Sequence, residues 1–354
     1  MLAGDEVVVS KSGKQTHGKG RFYSSIAQRP ISGLSLFALS LVDVQQRRAY
    51  PLSLQQRLPV TARQRVMPAP KRGRGRPKGS KNHAKTAPIL SPELTLLGAM
   101  LRTLLGRIAS LQVKHLVLDG FFGNYPATWM TRECGLPLIS KRRHNAALYL
   151  AYTGNKPRRG PTPRYGDKLD SHALPESARI FSVTEGTLLT ETYQLSALHK
   201  DFPDPLNLVV LVKTHLKTGK RAHVLLFSTD LSLSATQLVD YYSLRFQIEF
   251  NFRDAKQHWG LEDFMNISAQ AVTNAAHLAF LMVNLSAVLL QSHRQREPDS
   301  SVLDLKCYFR ACRYLDETIK LLPDSPAANF IPRLWQRLVS LGSIRPPAQL
   351  RDAA

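Results

Sequence analysis

Tyr242, Arg245, Glu249 and Lys256 lie in the run YYSLRFQIEFNFRDAK, the last three at offsets of three, seven and fourteen positions from the first. On a helix turning about 100° per residue these offsets return to one stripe about 60° wide, so a phenol, two cations and a carboxylate face the same way. Leu244, Ile248 and Ala255 form a second stripe roughly a third of a turn away, with Phe252 at its border. One continuous helix is therefore expected, held against a core by its apolar stripe with the polar stripe free to meet a substrate. A carboxylate set between a guanidinium and an ammonium suits a metal ion that approaches a phosphate: the acid binds the cation and the bases bind phosphate oxygens. The plainer alternative is a solvated helix carrying ordinary charge pairs.

Metal-assisted chemistry on a phosphate needs further acids, and the preceding elements offer them. His115-Leu116-Val117-Leu118-Asp119-Gly120 is a short apolar run closed by an acid and a glycine. It predicts a buried strand that delivers Asp119 at its carboxyl end, where ligands of open α/β sheets gather. An Asp-Gly turn with no further role is the alternative. Asp5 stands at the head of another such run, DEVVVS, where the alternative is an exposed terminal Asp. Asp230, after Phe227-Ser228-Thr229 and ahead of the helix-capping Ser234, is a rival acid and reads as structural, orienting a strand-to-helix turn.

The spacing Y-(2)-R-(3)-E-(6)-K, continued by QHWGLEDF, resembles the carboxyl-terminal catalytic motif of DDE transposases of the bacterial IS-four type. LVLDGFFGN resembles the second-aspartate block of that family, and DEVVVSKSGKQTHG resembles the first. The resemblance implies an α/β fold with a ribonuclease-H-like catalytic core and a β-rich insertion before the last catalytic helix. It implies that Asp5, Asp119 and Glu249 are the catalytic acids and hold two Mg²⁺ ions, for which Mn²⁺ can substitute. Tyr242, Arg245 and Lys256 would grip DNA phosphates. The implied reaction is phosphodiester hydrolysis and strand transfer at insertion-sequence ends. Its partners would be double-stranded DNA, as terminal inverted repeats and target, and a second subunit in a dimeric active complex. The family places a helical DNA-binding region ahead of the first acid. Asp5 lies four residues from Met1, so that region and part of the first strand are expected to be missing. Two other readings stand beside the transposase: a catalytically inactive remnant that still binds DNA, and an architectural protein for A·T-rich DNA. The second has no use for three acids in this order.

Composition agrees with a nucleic-acid partner. The chain has 354 residues, and a 43% hydrophobic content is enough for a sizeable core in two domains or one elaborated domain. Its formal charge is +22, from 48 Lys and Arg against 26 Asp and Glu, which calls for a polyanion. The longest apolar stretch, His277 to Leu290, is interrupted by Asn284 and Ser286; it is too short to span a bilayer and reads as a buried helix. With no charged-then-apolar leader, a cytoplasmic, nucleoid-associated location is expected, without a membrane. Cys134, Cys307 and Cys312 form no CxxC pair and read as reduced thiols.

Residues 1–150 are expected to form the first part of the core, 151–230 the β-rich insertion, 231–323 the completion of the core and 324–354 a tail. Strands are expected within Ile31 to Leu52, and a helix from Glu93 to Ile108 beginning at Ser91-Pro92. A further strand is expected from Leu136 to Ser140, followed by a basic patch at Lys141-Arg142-Arg143. Between the strands that end at Leu52 and the helix that begins at Ser91-Pro92, at about 55–88, lies a polar and basic stretch expected to be a disordered loop. Its Gly75-Arg76-Pro77 resembles an AT-hook, in which Arg74 and Arg76 enter a narrow A·T-rich minor groove and Lys78 meets phosphate; a generic basic loop is the equal alternative. Strand-like runs at Arg179 to Val183, Leu208 to Lys213 and Arg221 to Phe227 fill the insertion. Lys156 to Lys168 opens it as either a DNA-contacting loop or a plain linker. Val272 to Leu290 and Leu303 to Leu322 read as packing helices.

Overall fold

The computed structural model describes residues 1–24, 27–59, 87–155, 160–171, 173–295, 297–323, 327, 329–334 and 337. Arg74, Arg76 and Lys78 lie outside the described residues. The chain divides into two compact units, Met1–Phe250 with Ile267–Ala269, and Asn251–Asn266 with Gln270–Ala354.

The first unit is mixed α/β, built on one mixed sheet. Strand β1 (Leu2–Ser10) pairs antiparallel along its whole length with β3 (Arg29–Asp43), placing Asp5 opposite Ala38. Residues 33–40 of β3 are buried without a break, as expected of a strand covered on both faces. The short β2 (Gly20–Ser24) and β4 (Arg48–Arg57) pair with successive parts of β3. Pro51, which has no N–H to give, is tolerated in β4 beside the bulge at Leu39/Ser40.

Two crossovers bring in parallel strands. Helix α1 (Pro92–Arg107) starts where Ser91 accepts a hydrogen bond from the Leu94 amide, and buries Leu94, Leu97, Met100, Leu101 and Leu104 as one helical face. It leads to β5, only Leu116–Val117, which is parallel to β1. Helix α2 (Tyr125–Glu133), capped by Asn124, leads to β6 (Leu138–Arg142), parallel to β5. The sheet order through this half is β4-β3-β1-β5-β6. Leu97, Met100 and Met130 from α1 and α2 pack with Leu2, Leu116 and Leu138 in one core cluster.

The remaining strands are β7 (Leu148–Ala151), β8 (Tyr165–Lys168), β9 (Arg179–Glu185), β10 (Leu188–His199), β11 (Leu206–His215) and β12 (Arg221–Ser228). They continue the same sheet through an antiparallel pairing of β12 with β6, giving twelve strands among the described residues. Tyr165–Lys168 is thus a paired strand, where a loop or linker was expected, because Tyr165 and Lys168 lie opposite Ala151 and Tyr149 of β7. Helix α3 (Ala235–Leu244) opens with a Ser234/Gln237 capping box, and its Ala235 and Leu238 join Val117, Ile139, Val209 and Leu226 in a second core cluster.

The expected single helix through Tyr242 to Lys256 is two helices. α3 ends at Leu244 and α4 (Gln247–Trp259) begins three residues later. Between them the amides of Arg245 and Phe246 bond to the carbonyls of Tyr242 and Ser243, and those of Ile248 and Glu249 to Arg245 and Phe246. These three-residue steps tighten the winding and shift the phase of the polar stripe.

The second unit holds the rest of α4, from Asn251, with α5 (Ala269–Arg294) and α6 (Val302–Lys320). Phe252 meets Phe280 edge to face at 6.0 Å, and the Lys306 ammonium lies 5.0 Å over the Trp259 ring while bonding to the His258 carbonyl at 2.8 Å. The expectation of a buried helix too short for a bilayer is corrected here. α5 runs for 26 residues with a most apolar window of mean hydropathy 1.6, a length and composition sufficient to cross a membrane and shared by core helices of globular proteins. Val272, Ala276, Phe280, Val283 and Ala287 are buried while Leu278, Leu281, Leu285 and Val288 are exposed. The stretch from His277 is short only because Asn284 and Ser286 interrupt its apolar text; neither residue interrupts the helix.

Candidate active site

Four elements of the first unit bring charge to one place. β1 carries Asp5 at its middle, with the Glu6 amide donating to Oδ1 at 2.8 Å. The tight turn after α3 carries Arg245, whose Nη1 donates to Asp5 Oδ2. One turn further on, in the first turn of α4 where the helix dipole favours an anion, Glu249 stands 3.6 Å from Arg245 Nη2. Asp119 comes from the end of β5. It lies two residues past the strand, caps the helical turn Gly120–Phe122, and accepts from the Phe121 amide at 3.2 Å. The Asp-Gly turn and the strand-end acid, which the sequence poses as alternatives, are the same feature.

The electrostatics of the four groups are coupled. Burial pushes the Asp5 carboxyl above the ordinary carboxylate range, against the pull of Arg245 and the Glu6 amide. Burial raises Asp119 too, and the charge of Asp5 adds to it; Arg245 and the amides of Phe121 and Phe122 oppose. Glu249 is raised by burial and by Asp5, against Arg245. For Arg245, burial acts to lower the pKa, but Asp5, Tyr242, Asp119 and Glu249 outweigh it and hold the guanidinium above its ordinary value. Tyr242 feels the same field: burial raises its phenol, Arg245 lowers it, and Asp119 and Asp5 raise it further. Three acids, two of them raised by the charge of Asp5, lie in the field of a single guanidinium and form an oxygen-only donor set of the kind that hard divalent cations take. Asp5 and Asp119 fit such an ion by this chemistry. Among the described residues no three His, Cys, Asp or Glu side chains stand close enough together to hold a metal as they lie. Arg245 occupies the space between Asp5 and Glu249 instead.

Of the other sequence-derived residues, Lys256 belongs to the second unit, where it pairs with Glu262 at 2.8 Å. Asp230 is bound on both oxygens, to the Ser232 amide and hydroxyl at 2.9 and 2.6 Å and to His115 Nε2 at 2.9 Å, which agrees with a structural turn. Sequence reasoning missed the support of the Asp119 turn from β6. Ser140 Oγ donates to the Asp119 carbonyl at 2.7 Å, and Arg142, read as part of a basic patch, turns inward to donate to the Gly123 carbonyl. A serine within a short apolar run carries no distinguishing pattern, and three consecutive cations conceal which one faces in.

The family of DDE superfamily endonucleases matches residues 1–197, more than half of the chain. The match includes Asp5 and Asp119 and stops short of Tyr242, Arg245 and Glu249. No curated protein matches the chain. With a mixed α/β architecture and, inside the matched segment, one acid on β1 and another just past the parallel β5, the chain belongs to the DDE superfamily endonucleases, nucleases of the transposase kind that act on DNA.

Proposed function

We propose that the protein is a DNA transposase of the IS-four type, cleaving at insertion-sequence ends and joining the freed strand to a target. The observation that carries this reading is the convergence of Asp5, Asp119 and Glu249 on one guanidinium, from two adjacent parallel strands and the helix that follows them. The order of β1, β3, β4, α1, β5, α2 and β6, with the β-rich run before α4, supports a ribonuclease-H-like core carrying an insertion.

In this reading the three carboxylates hold two Mg²⁺ ions. When bound, the ions supply activation of water, and later of a 3′-hydroxyl, and neutralise the departing oxygen of an in-line displacement. The protein's own part is positioning. Asp5 is fixed by the full-length ladder between β1 and β3, and Asp119 by its turn against β6. Glu249 is fixed by the first turn of α4. Arg245, whose planar fork pairs with Asp5 and Glu249, would turn it to a phosphate of the DNA end if those carboxylates held cations. Tyr242 adds its hydroxyl, and Lys256 meets the backbone as a point charge. Arg74 and Arg76 would enter an A·T-rich minor groove while Lys78 meets phosphate, or all three would meet phosphates as a generic basic loop.

Glu249→Gln tests the reading. It keeps size and hydrogen bonding but removes a charge needed by the metal, so Mg²⁺-dependent nicking of supercoiled plasmid is expected to vanish while DNA binding persists. Nicking at the wild-type rate by the Gln variant would exclude Glu249 from the chemistry.

A further inference from the structure

The turn that carries Asp119 is tied to β6 at both of its ends. Ser140, fully buried, donates its hydroxyl to the Asp119 carbonyl at 2.7 Å and fixes the start of the turn. Gly123 ends the turn so close to β6 that a Cβ there would stand 2.2 Å from the Lys141 carbonyl oxygen. Arg142 then fixes that end, its Nη1 donating to the Gly123 carbonyl.

The setting of Arg142 is costly for a cation and hence informative. Its neighbours Lys141 and Arg143 are exposed, whereas Arg142 is drawn in among aromatic groups. Its guanidinium stacks 5.2 Å from the centre of the buried Phe202 ring, and its Nη2 lies 2.8 Å from His199 Nε2. Nε is buried with no partner among the described residues. His199 is itself braced, with Nδ1 accepting from the Asp201 amide at 3.1 Å and its ring edge-on to Phe202 at 5.4 Å. A planar fork with one prong on the acid-bearing turn and the other on a braced ring sets a distance that a flexible ammonium would not.

We propose that Arg142 is a positioning residue for Asp119: by clamping the Gly123 carbonyl to β6 and to His199, it holds the turn that carries Asp119 in place, so that its carboxylate stays available to a divalent cation. The proposal rests on the reading of Asp119 as a metal ligand. It predicts that loss of the clamp weakens metal binding while leaving the DNA-contacting surface intact, because support of a ligand from behind is worth about 10–100-fold in metal affinity.

The test is Mn²⁺ titration calorimetry on the full chain, alongside anisotropy of a labelled DNA duplex in metal-free buffer. It uses the wild type, Arg142→Met, Arg142→Lys and Asp119→Asn. Arg142→Met is expected to bind Mn²⁺ about 10–100-fold more weakly with DNA affinity unchanged. Arg142→Lys, which keeps the charge but reaches only one of the two partners, is expected to fall between. An unchanged Mn²⁺ affinity in Arg142→Met overturns the proposal, and so do equal losses of metal affinity, DNA affinity and thermal stability. If Arg142→Met does not fold, Arg142→Lys decides, and wild-type Mn²⁺ affinity there overturns it. Asp119→Asn separates the two levels: if it binds Mn²⁺ as the wild type does, Asp119 is no ligand and the functional reading itself falls.

Discussion

Asp119 and Asp230 look alike in sequence, each closing a buried apolar run and preceding a helical turn, yet the fold sets them at opposite ends of one strand. Asp230 follows β12, which runs antiparallel to β6, and so arrives beside His115 just before β5 begins; Asp119 leaves β5 at the other end. Asp230 is surrounded by donors. The Ser232 hydroxyl lowers its pKa most, burial resists, and His115 lowers it further. Asp119 accepts from the Phe121 amide and feels Arg245, but burial and the charge of Asp5 outweigh them and its pKa is raised. An acid that serves the fold is satisfied within it. On the proposed reading, an acid that serves a metal and a phosphate is left only partly satisfied by the protein alone, at a cost in stability that the ligand offsets.

The largest expected effect that would break this comparison is on cleavage. Asp119→Asn is expected to reduce Mg²⁺-dependent plasmid nicking by more than about 100-fold, since a direct ligand is worth more than its supporting partners. Asp230→Asn is expected to nick at close to the wild-type rate. The reverse pattern would mean that the metal acid belongs to β12.

The same pair should invert when stability is read instead. Asp230→Ala removes charge-assisted hydrogen bonds to Ser232 and leaves the buried His115 without its partner, an expected loss of about 1–3 kcal/mol in urea unfolding. Asp119→Asn, which relieves repulsion by Asp5, is expected to leave stability unchanged or raised. A destabilisation by Asp119→Asn as large as that by Asp230→Ala would mean that Asp119 is satisfied by its turn after all.

Much of this contrast can be read in the sequence because it is local. Alternating and continuous apolar runs mark β1, β3 and β11, the cap at Ser91-Pro92 marks α1, and the glycine after Asp119 marks a turn. The offsets of Tyr242, Arg245 and Glu249 group an arginine with two residues that it meets in the fold, although the helix they imply is broken at Arg245. The break has no glycine or proline to announce it. The partners of these residues were not legible. That Arg245 spans 240 positions to reach Asp5, or that Ser140 and Arg142 brace the turn of Asp119, depends on which strands become neighbours. Nor does the sequence show that the β-rich run joins the same sheet through β12, since edge pairing leaves no periodic mark.

The smallest effect, and the sharpest, is the pH dependence of the two acids. A carboxyl whose folded pKa is raised binds its proton more readily in the native state than in the unfolded chain, so its contribution to stability is full at low pH and is lost as pH rises through the folded pKa. Replacing Asp119 by Asn removes that loss. The melting temperature of the variant relative to wild type should therefore be level in acid and climb as pH rises past the usual carboxylate range. Asp230 has the opposite sign. Its lowered pKa contributes stability above the unfolded value that fades as pH falls through the folded one, so the deficit of Asp230→Asn should be full near neutrality and shrink in acid. Thermal melts of the three proteins across the acid-to-neutral range, without divalent cations, should give two difference curves that both approach zero in acid and part in opposite directions above it. Added Mg²⁺ should then pull only the Asp119→Asn curve down, because the cation stabilises wild type at the carboxylate that the variant lacks. Two curves that run parallel, or a Mg²⁺ response shared by both variants, would show that the environments of Asp119 and Asp230 do not differ in kind.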